Sequence, residues 1–180
     1  AYLQPRPAGV IAIGGLPGTG KSTLARALAP DLGVAPGALI LRSDELRKRR
    51  FGVAPEERLP PSAYAETVST AVIADVAAGA EAVARAGYMA IADATFLDLA
   101  HRASIEAAAA RAGVPFLGLW LQAPLPVLEA RIAARRGDAS DATVAVLHAA
   151  AGRDPGPGSW HPVEATDPLP AARAAIQNWK

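Results

Sequence analysis

Residues 15–22, Gly-Leu-Pro-Gly-Thr-Gly-Lys-Ser, match the pattern G-x-x-x-x-G-K-[ST] at every specified position. The continuous apolar run at residues 10–13 precedes them, and residues 23–28 follow with the spacing of an amphipathic helix start. A strand that enters a helix through a glycine-rich loop lets backbone N–H groups converge on an anion. Glycines at 15, 18 and 20 permit that concave path because they have no side chain to obstruct it. The pattern therefore predicts an α/β domain that binds phosphate at this loop.

The residue types within the loop predict how a nucleotide is held. We expect Lys21, facing solvent, to reach the β- and γ-phosphates of ATP as a point charge, and the Ser22 hydroxyl to coordinate Mg²⁺. The alternative is a glycine-rich turn with a solvated lysine. The predicted nucleotide-binding residues here are Gly15, Leu16, Pro17, Gly18, Thr19, Gly20, Lys21, Ser22 and Thr23.

Four short apolar runs, at residues 10–13, 38–41, 89–92 and 116–121, alternate with alanine-rich segments of helical composition. Continuous apolar runs are typical of parallel strands that are covered on both faces. With a fifth short strand at 160–165, this alternation predicts a three-layer α/β sandwich with helices on both sides of the sheet. The predicted helices are residues 21–29, 62–86, 99–112, 124–136, 141–151 and 169–179.

The chain of 180 residues is long enough for one domain with a single core. We expect that domain over residues 9–180, and interpret residues 1–8, AYLQPRPA, as a tether from an upstream domain. The 18 Lys and Arg residues against 17 Asp and Glu give a net charge of +1, which argues against a globally basic nucleic-acid surface. Cysteine is absent, and no membrane-spanning or signal pattern is evident, so we expect a cytoplasmic protein without membrane partners.

A second polar constellation, Arg-Ser-Asp-Glu-Leu-Arg at residues 42–47, follows the strand predicted at 38–41. Ligands of open α/β sheets bind at the carboxyl ends of the strands. Asp44 can there accept the proton of an acceptor hydroxyl, and Arg47, one helical turn later, can hold an anionic group of that acceptor. The alternative is that Ser43 or Asp44 merely caps the following helix.

The strand predicted at 89–92 ends at Asp93 and is followed by Ala94. Hydrolases of the motor class usually place a glutamate after this aspartate to orient the attacking water. Its absence favours transfer to another acceptor, and the lack of an Asn-Lys-x-Asp sequence argues against a GTPase. Arg102, in the helix that follows, is a candidate for lining the acceptor pocket.

Two basic clusters have competing interpretations. Arg131, Arg135 and Arg136 fall on one side of a helix before Gly137, as in a hinged lid over phosphates or in a solvated helix end. The run of four cations at 47–50 is either a patch for anionic acceptors or a solvated helix face. Trp160 is predicted to pack in the core rather than against adenine.

Taken together, the segments GLPGTGKST at 15–23, RSDELR at 42–47, Asp93 with Thr95 and RIAARRGDAS at 131–140 resemble the small P-loop kinases. That group is typified by polynucleotide 5'-hydroxyl kinases, zeta toxins, gluconate kinase and chloramphenicol phosphotransferase. The chain most resembles the ATP-binding, kinase-like domain at the C-terminal end of bacterial aminoglycoside phosphotransferase fusions.

The resemblance implies roles for individual residues. Asp44 would activate the acceptor, and Arg47 would bind its phosphate. Asp93 would lie near acceptor or metal, with Thr95 close behind. Arg131, Arg135 and Arg136 would form a lid that closes over ATP and stabilises charge on the transferring phosphoryl group, with Arg136 acting catalytically.

The sequence therefore predicts ATP- and Mg²⁺-dependent transfer of the γ-phosphate to a hydroxyl of a small molecule, a nucleotide or a nucleic-acid end. Two alternatives remain open. One is an ATP-binding regulatory module attached to another domain, and the other is a slow ATPase.

Overall fold

A computed structural model describes residues 8–134, 139–156 and 158–179. Five strands form one sheet: β1 (Gly9–Gly15), β2 (Leu39–Arg42), β3 (Met89–Asp93), β4 (Phe116–Gln122) and β5 (His161–Glu164). Their order is β2-β3-β1-β4-β5, and every neighbouring pair is parallel. The carboxyl ends of all five strands therefore meet at one edge of the sheet.

The described helices are α1 (Lys21–Leu28), α2 (Ser43–Arg50), α3 (Glu66–Arg85), α4 (Leu99–Ala112), α5 (Leu125–Ala134), α6 (Val144–Ala151) and α7 (Pro168–Asn178). Two short 3₁₀ turns, Ala29–Asp31 and Pro61–Tyr64, precede β2 and α3.

The central strand β1 is buried throughout because both faces of the sheet are covered. Val10 and Ala12 pack on one side, in a cluster that includes residues of α3 and α4. Ile11 and Ile13 point to the other side, where α1 and α7 complete a second cluster. Successive side chains of a strand alternate between faces, so one apolar run supplies both cores. The predicted three-layer α/β sandwich is confirmed.

The predicted helix at 99–112 coincides with α4, whereas two other predicted helices begin too early. The segment predicted from 62 opens with the 3₁₀ turn, and α3 starts at Glu66. The segment predicted from 141 becomes helical only at Val144, since the Thr143 side chain accepts a hydrogen bond from Val146 N at 3.3 Å and caps the helix there.

Among the described helices, α3 is long and apolar enough to cross a membrane by length and composition alone, which is weak evidence. In the fold, Val76 and Ala80 of α3 are fully buried in a cluster with residues of the sheet and of α4. One face of α3 thus packs in the core of the domain.

Trp160 packs in the core as predicted. Its ring lies 5.1 Å from that of Phe96 and 6.4 Å from that of Trp120, and its Nε1 donates to Glu106 Oε1 at 2.7 Å. Gly118 of β4 lies directly beneath the ring, where a Cβ atom would collide with the indole. A bulky aromatic residue is accommodated because the strand below it has no side chain.

Candidate active site

The carboxyl ends of β1, β2 and β3 open into a cleft of 1330 Å³. The cleft brings together most of the residues that the sequence singled out. Its lining includes residues 17–23 of the glycine-rich loop and α1, together with Asp44, Arg47, Asp93, Thr95 and Arg131. β1 and β3 are 80 residues apart in the chain but are neighbours in the sheet, so the polar residues at their carboxyl ends lie close together.

The glycine-rich loop has the backbone that its sequence requires. Gly15, Gly18 and Gly20 have φ values of +135°, +87° and +86°, in a region that side chains disfavour. A Cβ atom at Gly15 would also lie only 2.5 Å from Leu121 O. Thr19 is buried, and its Oγ1 donates to Leu16 O at 2.8 Å, which closes the loop on itself.

Lys21 is the first residue of α1 and lies across the loop. Its Nζ donates to Gly15 O at 2.9 Å and to Leu16 O at 3.0 Å. The side chain is half-buried, so the expectation that Lys21 faces solvent is wrong. Backbone carbonyls that the loop leaves available hold the ammonium group in the cleft.

Ser22 and Asp93 form the shortest polar contact described between the loop and β3. Ser22 Oγ donates to Asp93 Oδ2 at 2.5 Å, and Arg42 Nε lies 3.6 Å from the same oxygen. Burial raises the pKa of Asp93 above its ordinary value, although Lys21 and the hydrogen bond from Ser22 oppose the rise. A hydroxyl and a carboxylate oxygen side by side are ligands that Mg²⁺ prefers.

A complete protein cage for a metal is not found among the described residues, where no group of three His, Cys, Asp or Glu side chains converges. A site with two oxygen ligands fits Mg²⁺ rather than zinc, since Mg²⁺ commonly keeps waters and substrate phosphates in its coordination shell. The Ser22–Asp93 pair therefore fits the ion that the sequence predicted.

Asp44 lies on the first turn of α2, beside the glycine-rich loop. The residue in the N-cap position is Arg42, and no side chain caps this helix, so the interpretation of Ser43 or Asp44 as a cap is wrong. Burial raises the pKa of Asp44, and the charges of Arg42, Lys21 and Arg47 and a hydrogen bond from Ser140 partly offset that rise. A half-buried carboxylate with a raised pKa is suited to accept a proton.

Arg47 lines the cleft but is held by its own chain. Its Nη1 donates to Ala63 O at 2.6 Å and its Nη2 to Ser69 Oγ at 3.3 Å. The guanidinium also lies 4.7 Å from the ring centroid of Tyr64. Burial lowers the pKa of Arg47, and the charge of Asp44 counteracts this. These contacts thus hold the side chain near Asp44 in the lining of the cleft.

The four cations at 47–50 divide between two environments, so neither a single patch nor a solvated face describes them. Arg49 and Arg50 are exposed, while Arg47 is 8% and Lys48 only 1% exposed. Lys48 Nζ lies 2.9 Å from Asp141 Oδ1 and also donates to Glu57 O. Sequence reasoning missed this buried ion pair.

Asp141 accepts hydrogen bonds at both carboxylate oxygens. Its Oδ2 receives Leu59 N at 3.0 Å and the Tyr64 hydroxyl at 2.5 Å, and its Oδ1 receives Lys48. Burial would raise the pKa of Asp141, but these hydrogen bonds and the Lys48 charge hold it below its ordinary value. Burial and the hydrogen bond to Asp141 raise the pKa of Tyr64. We refer to Lys48, Leu59, Tyr64 and Asp141 as the Asp141 clasp.

Two of the remaining predicted residues line the cleft, and two lie outside the described part of the chain. Thr95 is exposed in the cleft, and Arg131 lines it while donating from Nη2 to Ala165 O at 3.0 Å. Arg135 and Arg136, the rest of the predicted lid, lie outside the described residues.

The structure corrects the interpretation of Arg102 as an acceptor-pocket residue. Its guanidinium donates to Phe96 O at 3.0 Å and to Pro155 O, and it lies 5.1 Å from the ring centroid of Trp120. The side chain is buried and is not among the cleft-lining residues. Arg102 instead connects the loop after β3 to the segment after α6, because its guanidinium donates hydrogen bonds to a backbone carbonyl in each.

With this geometry established, comparison with known proteins places the chain. Residues 10–153 match the family described as AAA domain. The chain belongs to this family. Because the match includes the glycine-rich loop, Asp44, Asp93 and Arg131, the whole set of described site residues lies within the AAA domain.

Two curated relatives of this AAA domain differ in the share of their own length that aligns with it. An uncharacterized protein of Mycobacterium tuberculosis is 31% identical over 171 residues, which are 93% of this chain and 34% of that protein. The chain therefore spans about a third of the length of that relative. An adenylyl-sulfate kinase of Myxococcus xanthus is 36% identical over 120 residues, which are 65% of this chain and 59% of that enzyme.

Solved structures confirm the fold of the AAA domain. A Mycobacterium tuberculosis APS kinase, in complex with AMPPNP and APS, has a TM-score of 0.69 at 20% identity and covers 97% of this chain and 98% of that one. A gluconokinase of Sinorhizobium meliloti has a TM-score of 0.63 at 19% identity and covers 97% and 92%. At such identities the likeness shows the P-loop kinase fold that the sequence predicted.

Proposed function

We propose that this domain transfers the γ-phosphate of ATP, with Mg²⁺, to a hydroxyl of a small molecule, a nucleotide or a nucleic-acid end. The observation that carries the proposal is the position of Asp44. A half-buried carboxylate stands beside Lys21 in the phosphate-loop cleft, where it can receive the proton of a hydroxyl that attacks the γ-phosphate. The kinship with an adenylyl-sulfate kinase supports the same class of reaction.

The loop supplies the binding site for the phosphates. Its backbone N–H groups and the amino end of α1 attract the anionic oxygens. Lys21 exchanges the carbonyls of Gly15 and Leu16 for the β- and γ-phosphates, so its charge is already in place when nucleotide arrives. This arrangement stabilises charge on the transferring group without a large rearrangement of the site.

Ser22 and Asp93 would hold Mg²⁺. When bound, the ion supplies positive charge to the β- and γ-phosphate oxygens. Ser22 is well placed for this role because it follows Lys21 directly in the chain. The bound Mg²⁺ and the Lys21 ammonium would therefore act on the same phosphates.

The chemical step needs only one proton acceptor. The acceptor oxygen forms a bond to the γ-phosphorus, the bond from that phosphorus to the β,γ-bridging oxygen breaks, and the hydroxyl proton passes to Asp44. Because burial raises the pKa of Asp44, the carboxyl group holds this proton more readily than an exposed aspartate. Arg47 and Thr95 line the acceptor side, and Arg131, with Arg135 and Arg136, is proposed to close over ATP.

Transfer is favoured over hydrolysis by the acidic residues of the cleft. Among the described residues that line it, the acids are Asp44, Asp93 and Asp141, and none is a glutamate. The clasp engages Asp141, and Asp93 accepts a hydrogen bond from Ser22. Asp44 is therefore the one acid among the described cleft residues that neither contact occupies.

The decisive experiment is transfer of labelled γ-phosphate from ATP to a panel of acceptors. The panel contains 5'-hydroxyl oligonucleotides, nucleosides, adenylyl sulfate, sugars and aminoglycosides. We expect one class to be labelled. Asp44→Asn should keep ATP affinity and lower turnover by about 10²- to 10⁴-fold, the range for a general base.

The matched control is Asp75→Asn, which neutralises an aspartate on α3 outside the cleft and should leave turnover unchanged. Phosphate release without transfer would identify a slow ATPase instead. Tight ATP binding without turnover would identify a regulatory module. Loss of ATP binding in Asp44→Asn would make Asp44 a structural or metal-binding residue.

A further inference from the structure

Tyr64 is the one aromatic side chain among the described residues that line the cleft. It is 39% exposed and ends the 3₁₀ turn Pro61–Tyr64, which precedes α3. Its ring contacts Arg47 on α2, and its hydroxyl donates to Asp141 in the segment before α6. Tyr64 therefore joins two parts of the cleft lining through a single side chain.

The Arg47 guanidinium is held by the turn that contains Tyr64 and by the first turn of α3. Nη1 donates to Ala63 O at 2.6 Å, and Nη2 donates to Ser69 Oγ at 3.3 Å. Cζ lies 4.7 Å from the centroid of the Tyr64 ring. Ser69 Oγ itself donates to Tyr64 O at 3.4 Å. Tyr64 thus makes one contact directly, and the other two partners are its chain neighbour and its hydrogen-bond donor.

The ring supplies an orientation that the two hydrogen bonds do not. Bonds from Nη1 and Nη2 fix two points of the planar guanidinium and leave it free to tilt about the line between them. The negative face of an aromatic ring attracts a guanidinium cation and so limits this tilt. All three partners are uncharged groups, so the positive charge of Arg47 stays available to an acceptor in the cleft.

The hydroxyl of Tyr64 has a different effect. It donates to Asp141 Oδ2 at 2.5 Å, and the same oxygen accepts Leu59 N at 3.0 Å. Leu59 N would still connect the chain before the turn to Asp141 if the hydroxyl were removed. The hydroxyl therefore adds to the stability of the Asp141 clasp, whereas the ring sets the orientation of Arg47.

We propose that Tyr64 is a positioning residue for the acceptor and acts through Arg47. Its ring holds the Arg47 guanidinium one helical turn after Asp44, on the same face of α2, so that the cation and the proposed base can contact one bound acceptor. Without the ring the guanidinium tilts and acceptor binding weakens, while the glycine-rich loop and Asp44 still perform the transfer. This inference rests on the phosphotransfer proposed above, with Arg47 on the acceptor side.

The experiment measures kcat, the KM for the acceptor and the KM for ATP. The acceptor is the member of the panel that the wild-type protein phosphorylates, with adenylyl sulfate tried first. Tyr64→Leu should raise the acceptor KM at least tenfold and change kcat and the ATP KM less than twofold, because it removes binding and not chemistry. Tyr64→Phe keeps the ring, so its acceptor KM should stay within threefold of the wild-type value.

Urea denaturation separates this role from a structural one. Tyr64→Phe and Tyr64→Leu both lose the hydrogen bond to Asp141 and should lose similar stability, although their acceptor KM values differ. Tyr64→Gln, which keeps a hydrogen-bond donor but has no ring, should raise the acceptor KM as Tyr64→Leu does. Tyr88→Leu is the matched control, because it removes an exposed tyrosine outside the cleft and should leave all three kinetic constants unchanged.

A double variant tests whether Tyr64 acts through Arg47. Tyr64→Leu added to Arg47→Ala should raise the acceptor KM no further, since the guanidinium that the ring orients is already gone. A further tenfold rise would overturn the inference, and so would an unchanged acceptor KM in Tyr64→Leu or an equal rise in Tyr64→Phe. The proposed function would stand in each of these cases. A wild-type protein that binds ATP and phosphorylates no member of the panel would contradict both.

Discussion

Lys48 Nζ lies 2.9 Å from Asp141 Oδ1, although the two residues are 93 positions apart in the chain. Lys48 is on α2 one turn after Asp44, and Asp141 directly follows Ser140. The ion pair therefore joins the helix that carries the proposed base to the segment that follows α5. Through Leu59 and Tyr64 it also includes the wall of the cleft between α2 and α3.

Removing one partner of this pair should be costly. Asp141→Ala leaves the Lys48 ammonium buried without its carboxylate, and we expect the free energy of unfolding to fall by about 3–5 kcal/mol. Urea denaturation measures this value. The exposed pair Arg50–Asp75, whose side chains are both 46% exposed, is the control, and Asp75→Ala should cost about 1 kcal/mol or less. Equal losses of unfolding free energy in the two variants would show that the Lys48–Asp141 pair stabilises the fold no more than the exposed pair does.

The same pair predicts a pH dependence of stability. The pKa of Asp141 is lowered on folding from its ordinary value of 3.8, so the unfolded chain binds its proton first as the pH falls. The stabilisation by Asp141 is therefore present above pH 3.8 and is lost as the pH falls through the lower pKa of the folded state. We expect wild type to be more stable than Asp141→Asn at neutral pH and the difference to shrink in acid. Denaturation of both proteins across that range tests this, and a constant difference would contradict it.

The clasp also shows what the sequence could not predict. The glycine-rich loop, Ser22 and Asp93 were predictable because local residue order places them at the ends of apolar strands. Lys48 was not, because a run of four cations has the composition of a solvated face. Its burial depends on Asp141, and pairing across 93 positions leaves no local pattern. Arg102 was misassigned for a similar reason, since backbone carbonyls bind its guanidinium and they have no sequence signature.

Lys21→Ala should abolish phosphate transfer while the fold persists. The Lys21 ammonium contacts two loop carbonyls, so its loss removes the charge meant for the phosphates but leaves the apolar core intact. ATP affinity and turnover measure the first effect, and thermal unfolding measures the second. Arg26→Ala removes another cation that lines the cleft and serves as control, with little expected change. Normal turnover by a stable Lys21→Ala protein would refute the site.

Ser22→Ala should raise the Mg²⁺ concentration needed for half-maximal transfer. The substitution removes the hydroxyl that lies 2.5 Å from Asp93 and leaves the proposed ion one protein ligand fewer. A Mg²⁺ titration of activity measures the change, and chelation of the metal should stop transfer altogether. Ser62→Ala, which alters an exposed serine outside the cleft, should titrate like the wild type. Identical curves for Ser22→Ala and wild type would exclude Ser22 as a ligand.

Gly118→Ala should destabilise the domain. The added methyl group meets the indole of Trp160, which Phe96 and Glu106 hold in place, and overpacking of this kind costs about 1–3 kcal/mol. Thermal unfolding reports the loss. Gly152→Ala is the control, because Gly152 has a φ of −74° and its nearest neighbour to a new Cβ is 3.6 Å away. A stable Gly118→Ala protein would mean that Trp160 can shift.

The strand order has a consequence for how the chain folds as it emerges from the ribosome. β1 is the first strand to be synthesised, yet its partners are β3 and β4, which begin at Met89 and Phe116. The 73 residues at 16–88 must therefore be synthesised after Gly15 before the first neighbouring strand begins. Parallel pairings over such separations form slowly. The buried central strand β1 is therefore the strand that stays unpaired longest in a nascent chain. Its exposed apolar residues make it the strand that we expect a chaperone to bind.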